Sequence, residues 1–160
     1  MGYDVIGEIH GQADKLEALL QKLGYVQRFG CWVPPHGRQA IFLGDLIDRG
    51  PDQIKVVNIV RSMIDEGYAR SVMGNHEFNA IGYMTERRGS PGEFLRKHSE
   101  KNMSQHVEFL DQVQLTGHRH AFAREPEAIV EAHRIHHQRV AFPFRRGMPV
   151  PGRLEVLRVL

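Results

Sequence analysis

Three short stretches concentrate residues able to bind cations and move protons: Glu8 with His10, then Asp45, Asp48 and Arg49, then Asn75 with His76. Carboxylate, imidazole and amide oxygen form a hard-to-borderline ligand set, suited to Mn²⁺, Fe or Zn²⁺ rather than to soft copper. Asp45 lies between the other two groups in chain order, and its carboxylate could bridge two ions. Two metals roughly 3.5–4 Å apart clamp a phosphoryl group and activate a water. His76 paired with Asp48 has the makings of an acid and its orienting carboxylate. Arg49 offers a bidentate grip on phosphate oxygens. Each residue also has an ordinary explanation. An Asp before a helix caps it, an Asn after Gly turns the chain, and a His at a strand end is polar surface. Singly, each functional reading has a prior of roughly one in ten. Three groups in order, each behind its own strand, reverse those odds.

The elements that must position them follow from the apolar pattern. Tyr3 to Ile6 and Ala40 to Leu43 read as short buried strands, as does Ala69 to Met73. Each ends at the glycine that opens a polar group: Gly7, Gly44 and Gly74. Leu16, Leu19, Leu20 and Leu23 fall at i, i+3, i+4 and i+7, one helical stripe closed by Gly24. A second helix runs from about Pro51 to Glu66, with Ile54, Val57, Val60 and Ile64 inward, and stops at Gly67. Tyr25 to Val33, around Gly30, reads as a small hairpin, and Pro34-Pro35-His36-Gly37 as a loop. The order β-α-β-α-β predicts parallel strands covered by helices. The C-terminal ends of parallel strands share one edge, where α/β proteins collect their ligands. Beyond Phe78 the signal weakens. Arg87 to Gly92 is a basic loop, and Asn102 to Gln114 predicts a helix with Met103, Val107, Leu110 and Val113 inward.

Length and composition fit one soluble domain. The chain has 160 residues, 41% of them apolar and 25% charged, enough for a core. A formal charge of +2 gives no electrostatic reason to expect a nucleic-acid partner. The single cysteine, Cys31, excludes an internal disulfide and suits a reducing compartment. Beside Trp32 it reads as hairpin packing rather than a redox centre. No basic and apolar leader opens the chain, no run is long enough to span a membrane, and Ile6 breaks a myristoylation signal. The expectation is a cytoplasmic protein with no membrane partner.

Residues 115–160 differ in kind. They contain no Lys, Asp, Asn, Ser, Tyr, Trp or Cys, but eight arginines and five histidines. A short helix near Pro126 to His133 and strands over Val140 to Phe144 and Leu154 to Leu160 are expected there. Losing so many residue types at once points to a reading-frame shift in GC-rich DNA or to another rearrangement, and the expected division is 1–114 and an atypical Arg/His-rich tail over 115–160.

The motifs Gly7-Glu8-Ile9-His10-Gly11, Gly44-Asp45-Leu46-Ile47-Asp48-Arg49-Gly50 and Gly74-Asn75-His76-Glu77 resemble the three N-terminal motifs of the calcineurin-like metallophosphoesterases. Their flavour is that of the branch holding bacterial serine/threonine protein phosphatases and symmetrical diadenosine tetraphosphatases. The likeness covers residues 1–114. It implies an α/β fold, a four-layer α/β/β/α sandwich incomplete at its C-terminus. It implies two divalent ions, Mn with Fe or Zn as alternatives, the first held by Glu8, His10 and Asp45 and the second by Asp45 and Asn75. His76 becomes the proton donor to the leaving oxygen, oriented by Asp48, and Arg49 the phosphate ligand. The implied reaction is in-line hydrolysis by metal-activated water. The implied substrates are phosphorylated small molecules, nucleotides or phosphoproteins.

Two departures qualify this expectation. The family has Asp where Glu8 stands, a stem longer by roughly 1.5 Å, although metal sites tolerate only about ±0.2 Å in ligand distance. The family also draws two further histidine segments from downstream. Gly117-His118-Arg119-His120 matches the last of these in letters, but in so His- and Arg-rich a tail the match is expected to be coincidence. His106 falls in a predicted helix and His98 has no strand before it, so neither is expected to serve as a ligand. Without them the second ion is expected to bind weakly. The alternative expectation is therefore a truncated or impaired member that binds metal or phosphate without efficient turnover. A third is a basic module acting through residues 115–160.

Overall fold

The computed structural model describes residues 2–115 and 156–158. Strand β1 (Gly2–Gly7) leads to helix α1 (Ala13–Lys22), a hairpin of β2 (Val26–Arg28) and β3 (Cys31–Val33), and strand β4 (Arg38–Phe42). Helix α2 (Gln53–Asp65), strand β5 (Ala69–Ser71), helices α3 (Asn75–Met84) and α4 (Glu100–Leu115), and strand β6 (Val156–Arg158) follow. The main sheet has order β5-β4-β1-β6. All its pairings are parallel, with Ile6 opposite Phe42 and Phe42 opposite Ser71. The β-α-β-α-β expectation therefore holds, and β6 falls inside the predicted Leu154 to Leu160 strand. The expected helix near Pro126 and the strand at Val140 lie outside the described residues.

One apolar cluster joins sheet, helices and hairpin. Ile6 and Phe42 from the strands meet Leu16 and Leu20 of α1, Val56, Val60 and Met63 of α2, and Trp32 of the hairpin. Leu19 and Leu23 pack at its margin, as the helical stripe predicts. Gly24 ends α1 with φ 86° and Gly67 ends α2 with φ 75°, the left-handed turn that glycine makes without steric cost. At the other end of the strands, buried Asp4 accepts hydrogen bonds from Tyr25 Oη at 2.9 Å and from the Arg38 guanidinium, fixing the hairpin side to β1. Burial first, then the bond to Asp4, pushes the Tyr25 phenol far above its ordinary value.

The helices differ from expectation in their faces. Helix α2 turns Val56, Ile59 and Met63 inward beside Ile54 and Val60, leaving Val57 and Ile64 half-buried. It starts at Gln53, and the residue at its cap is Asp52, so Asp48 is not a helix cap. Helix α4 is rotated further: Met103 and Val107 are exposed, while His106, Phe109 and Val113 are buried. The expected stripe counted aliphatic residues only, whereas packing recruited an aromatic and a histidine at the same helical spacing. Of the implied four layers, the described residues provide one parallel sheet with its helices, and no second sheet beyond the hairpin.

Candidate functional site

The chemistry-bearing loops leave β1, β4 and β5 at the same sheet edge. The first two are laced together by backbone. Ile9 and His10 N–H donate to Asp45 O at 3.1 and 2.8 Å, Gly11 N–H to Leu46 O at 2.7 Å, and Asp52 N–H to Gly11 O at 3.0 Å. Such close approach requires glycine. A Cβ on Gly44 would overlap the backbone of Gly74, and one on Gly50 would overlap the carbonyl of His10. The third loop is joined through Glu77. Its carboxylate accepts N–H bonds from Asp45 at 2.9 Å, Leu46 at 2.7 Å, Ile47 at 3.3 Å and Gly74 at 2.8 Å.

This lacing holds the site residues in unusual backbone. Glu8, His10, Asp45, Asp48 and Arg49 all have φ between 46° and 70°. L-residues avoid this region, at about 1–2 kcal/mol each, and such outliers cluster at functional sites. Outside these loops Phe29, at the hairpin turn, is the one other described non-glycine residue with positive φ.

Glu8, His10 and Asp45 each present one ligand atom, all within 4.8 Å of one another. His10 Nδ1–H donates to Ile47 O at 3.1 Å, which leaves its Nε2 lone pair for a metal. Nε2 lies 3.3 Å from Glu8 Oε2. Neighbouring ligands of an ion with bonds of roughly 2.1 Å sit about 3–3.4 Å apart, so this pair fits one cation. Glu8 Oε2 stands in this group with its longer stem. Asn75 is the exposed first residue of α3, and the N–H of the next residue, His76, donates to Asp45 Oδ1 at 3.2 Å. Asp45 and Asn75 thus stand at one loop junction. His118 and His120 lie outside the described residues.

Beside this group His76 Nδ1–H donates to Asp48 Oδ2 at 2.7 Å. Its ring stands edge-on to His10, centroids 4.7 Å apart. Arg49 is exposed and spans both rings, with Nη1 3.2 Å from His10 Nε2 and Nη2 3.5 Å from His76 Nε2. A guanidinium only donates, so for His10 to take a cation Arg49 must swing off its Nε2. The side chain's exposure leaves it free to do so. Asp48 is held in turn by its own N–H, which donates to Gln53 Oε1 at 2.7 Å.

The residues predicted from sequence therefore meet at one edge, and several unpredicted ones support them. Glu77 sat inside a quoted motif, but a carboxylate that serves four backbone donors leaves no spacing signature. His106 approaches Asp48 from α4 at 3.1 Å. Counting polar residues along the Phe109 and Val113 stripe finds it.

The calcineurin-like phosphoesterase family model matches residues 1–147, running past residue 114. The bis(5'-nucleosyl)-tetraphosphatase PrpE [asymmetrical] of Bacillus subtilis (strain 168) is 47% identical over 76 residues, which are 48% of this chain and 31% of that protein. The protein of the same name from Halalkalibacterium halodurans is 41% identical over 88 residues, 55% of this chain and 36% of that one. The chain thus spans about a third of the length of these relatives. Both carry the asymmetrical designation, whereas the motifs resembled the symmetrical branch. A solved mutant of a cold-active protein tyrosine phosphatase aligns at 24% identity and TM-score 0.41, over 68% of this chain and 31% of that one. With the three motifs converging at one sheet edge and the family match covering most of its length, the chain belongs to the calcineurin-like phosphoesterases.

Proposed function

We propose that this protein is a divalent-metal-dependent phosphoesterase acting on phosphorylated small molecules. The observation that carries the reading is the convergence of Glu8, His10 and Asp45 beside the Asp48–His76 pair. Glu8, His10 and Asp45 would hold the first ion, and Asp45 with Asn75 a second. When bound, such ions supply Lewis-acid polarisation of a phosphoryl oxygen and acidify water. The remaining work falls to side chains. Arg49, drawn off the imidazoles, donates to two phosphoryl oxygens. His76 keeps Nδ1–H on Asp48, directs Nε2 at the leaving oxygen and delivers its proton as the P–O bond breaks. The relatives' name makes dinucleoside polyphosphates the first substrates to try. The carboxylate, imidazole and amide donors make Mn²⁺ the first metal to try, with Fe and Zn²⁺ as alternatives.

A second reading is a member that binds metal without efficient turnover. It is favoured by the count of ligands: among the described residues His10 is the one imidazole in the metal group. Hydrolysis of an aryl phosphate with Mn²⁺ separates the two. The leading reading expects turnover that falls at least 100-fold, about 2.7 kcal/mol of transition-state stabilisation, in both Asp45→Asn and His76→Ala. Wild-type rates equal to those of the variants would establish the second.

A further inference from the structure

Asp48 is 1% exposed and receives more than the His76 bond. From α4, His106 Nδ1 lies 3.0 Å from Oδ2 and 3.1 Å from Oδ1. Gln105 Nε2 lies 3.3 Å from Oδ2. The Gln105 amide is itself oriented, because its Oε1 accepts a bond from Arg96 Nη2 at 2.9 Å. Gln105 Nε2 also lies 3.4 Å from His76 Nδ1, but both atoms face the same acceptor. The Asp48 carboxylate only accepts, so the two imidazole nitrogens bonded to it, His76 Nδ1 and His106 Nδ1, donate.

His106 is 0% exposed, and its Nε2 is buried with no hydrogen-bond partner among the described residues. Leaving a buried polar atom unpaired costs about 1–3 kcal/mol. A leucine at this place would fill the core beside Phe109 without that cost. The feature that sets histidine apart here is the Nδ1–H aimed at Asp48. A carboxylate rotates broadly about its terminal torsion. One bond from His76 leaves that rotation open, whereas donors arriving from α3 and from α4 fix it.

We propose that His106 and Gln105 are positioning residues, which lock the Asp48 carboxylate so that Oδ2 faces His76 Nδ1 and His76 Nε2 faces the reaction. This rests on the reading of His76 as the proton donor, and the test separates the two. Side-chain ¹⁵N-labelled histidine spectra of the full chain report the His76 Nδ1–H bond directly. His106→Leu is expected to weaken that bond, moving the His76 Nδ1 proton upfield. It is expected to lower kcat for an aryl phosphate roughly 10–100-fold, the range for lost supporting partners, with KM within about twofold. His106→Asn, whose amide N–H can stand where Nδ1 stood, is expected to restore most of both. The proposal is overturned if the His76 signal of His106→Leu matches the wild type, or if the Asn and Leu variants are equally impaired. Should His106→Leu fail to fold, Gln105→Leu is read in its place against His106→Asn, with the same criteria. Wild-type protein without turnover refutes the phosphoesterase reading, and the His76 signal then decides the positioning role alone.

Discussion

At the residue scale the site is built from side chains on backbone that ordinary residues avoid. Arg49 is the cleanest case, exposed with φ 70°. Glycine tolerates that conformation, so Arg49→Gly should raise stability by about 1 kcal/mol, a Tm rise of roughly 2–8 °C, while turnover falls. Thermal melts and the aryl phosphate assay read the two effects, and an unchanged or lower Tm would show that the conformation carries no strain. Glu77 works in the opposite sense. Glu77→Gln replaces one of two acceptor oxygens with a donor facing backbone N–H groups. It should cost about 2–4 kcal/mol, visible as an earlier midpoint in urea. Retained stability would mean those bonds are dispensable. The residues with chemistry of their own, from Glu8 to His76, were legible as types at meaningful spacing. Glu77 and His106 were not legible in that way. Their work is to satisfy other groups, and that becomes visible only when the chain is folded around Asp45 and Asp48.

At the element scale, strands and loops were legible and helix rotation was not. Glycines closing apolar runs marked the strand ends correctly at Gly7 and near Gly44, because a parallel strand buried on both faces reads as a continuous apolar run. Helix α3 buries one narrow face, His76, Ala80 and Tyr83 at i, i+4 and i+7, but a histidine and an alanine on that face give little apolar signal. Helix α4 was found, but its buried face includes His106, which hydrophobicity counts as solvent-facing. The loops owe their closeness to glycine. Gly44→Ala would force a Cβ into the Gly74 backbone at φ 79°, and roughly 3–5 kcal/mol of stability should be lost. Chemical denaturation checks this, and a loss below 1 kcal/mol would mean that the Asp45 and Asn75 loops are not held together as described.

At the scale of the whole molecule, one parallel sheet brings β1, β4 and β5 to a common edge and α4 closes over Asp48 from outside. The chain covers 31% of the Bacillus subtilis relative, so its catalytic capacity is a question about what the described ligands suffice to hold. The proposed division at residue 114, with a remainder of frameshifted or otherwise rearranged origin, bears on the same question, because His118 and His120 lie beyond it. Calorimetric titration of the full chain with Mn²⁺, repeated on His10→Ala, addresses it most directly. The expected result is one tight site per chain, a second markedly weaker, and loss of the tight site in His10→Ala. Two equally tight sites, no saturable binding, or tight binding that survives His10→Ala would contradict it.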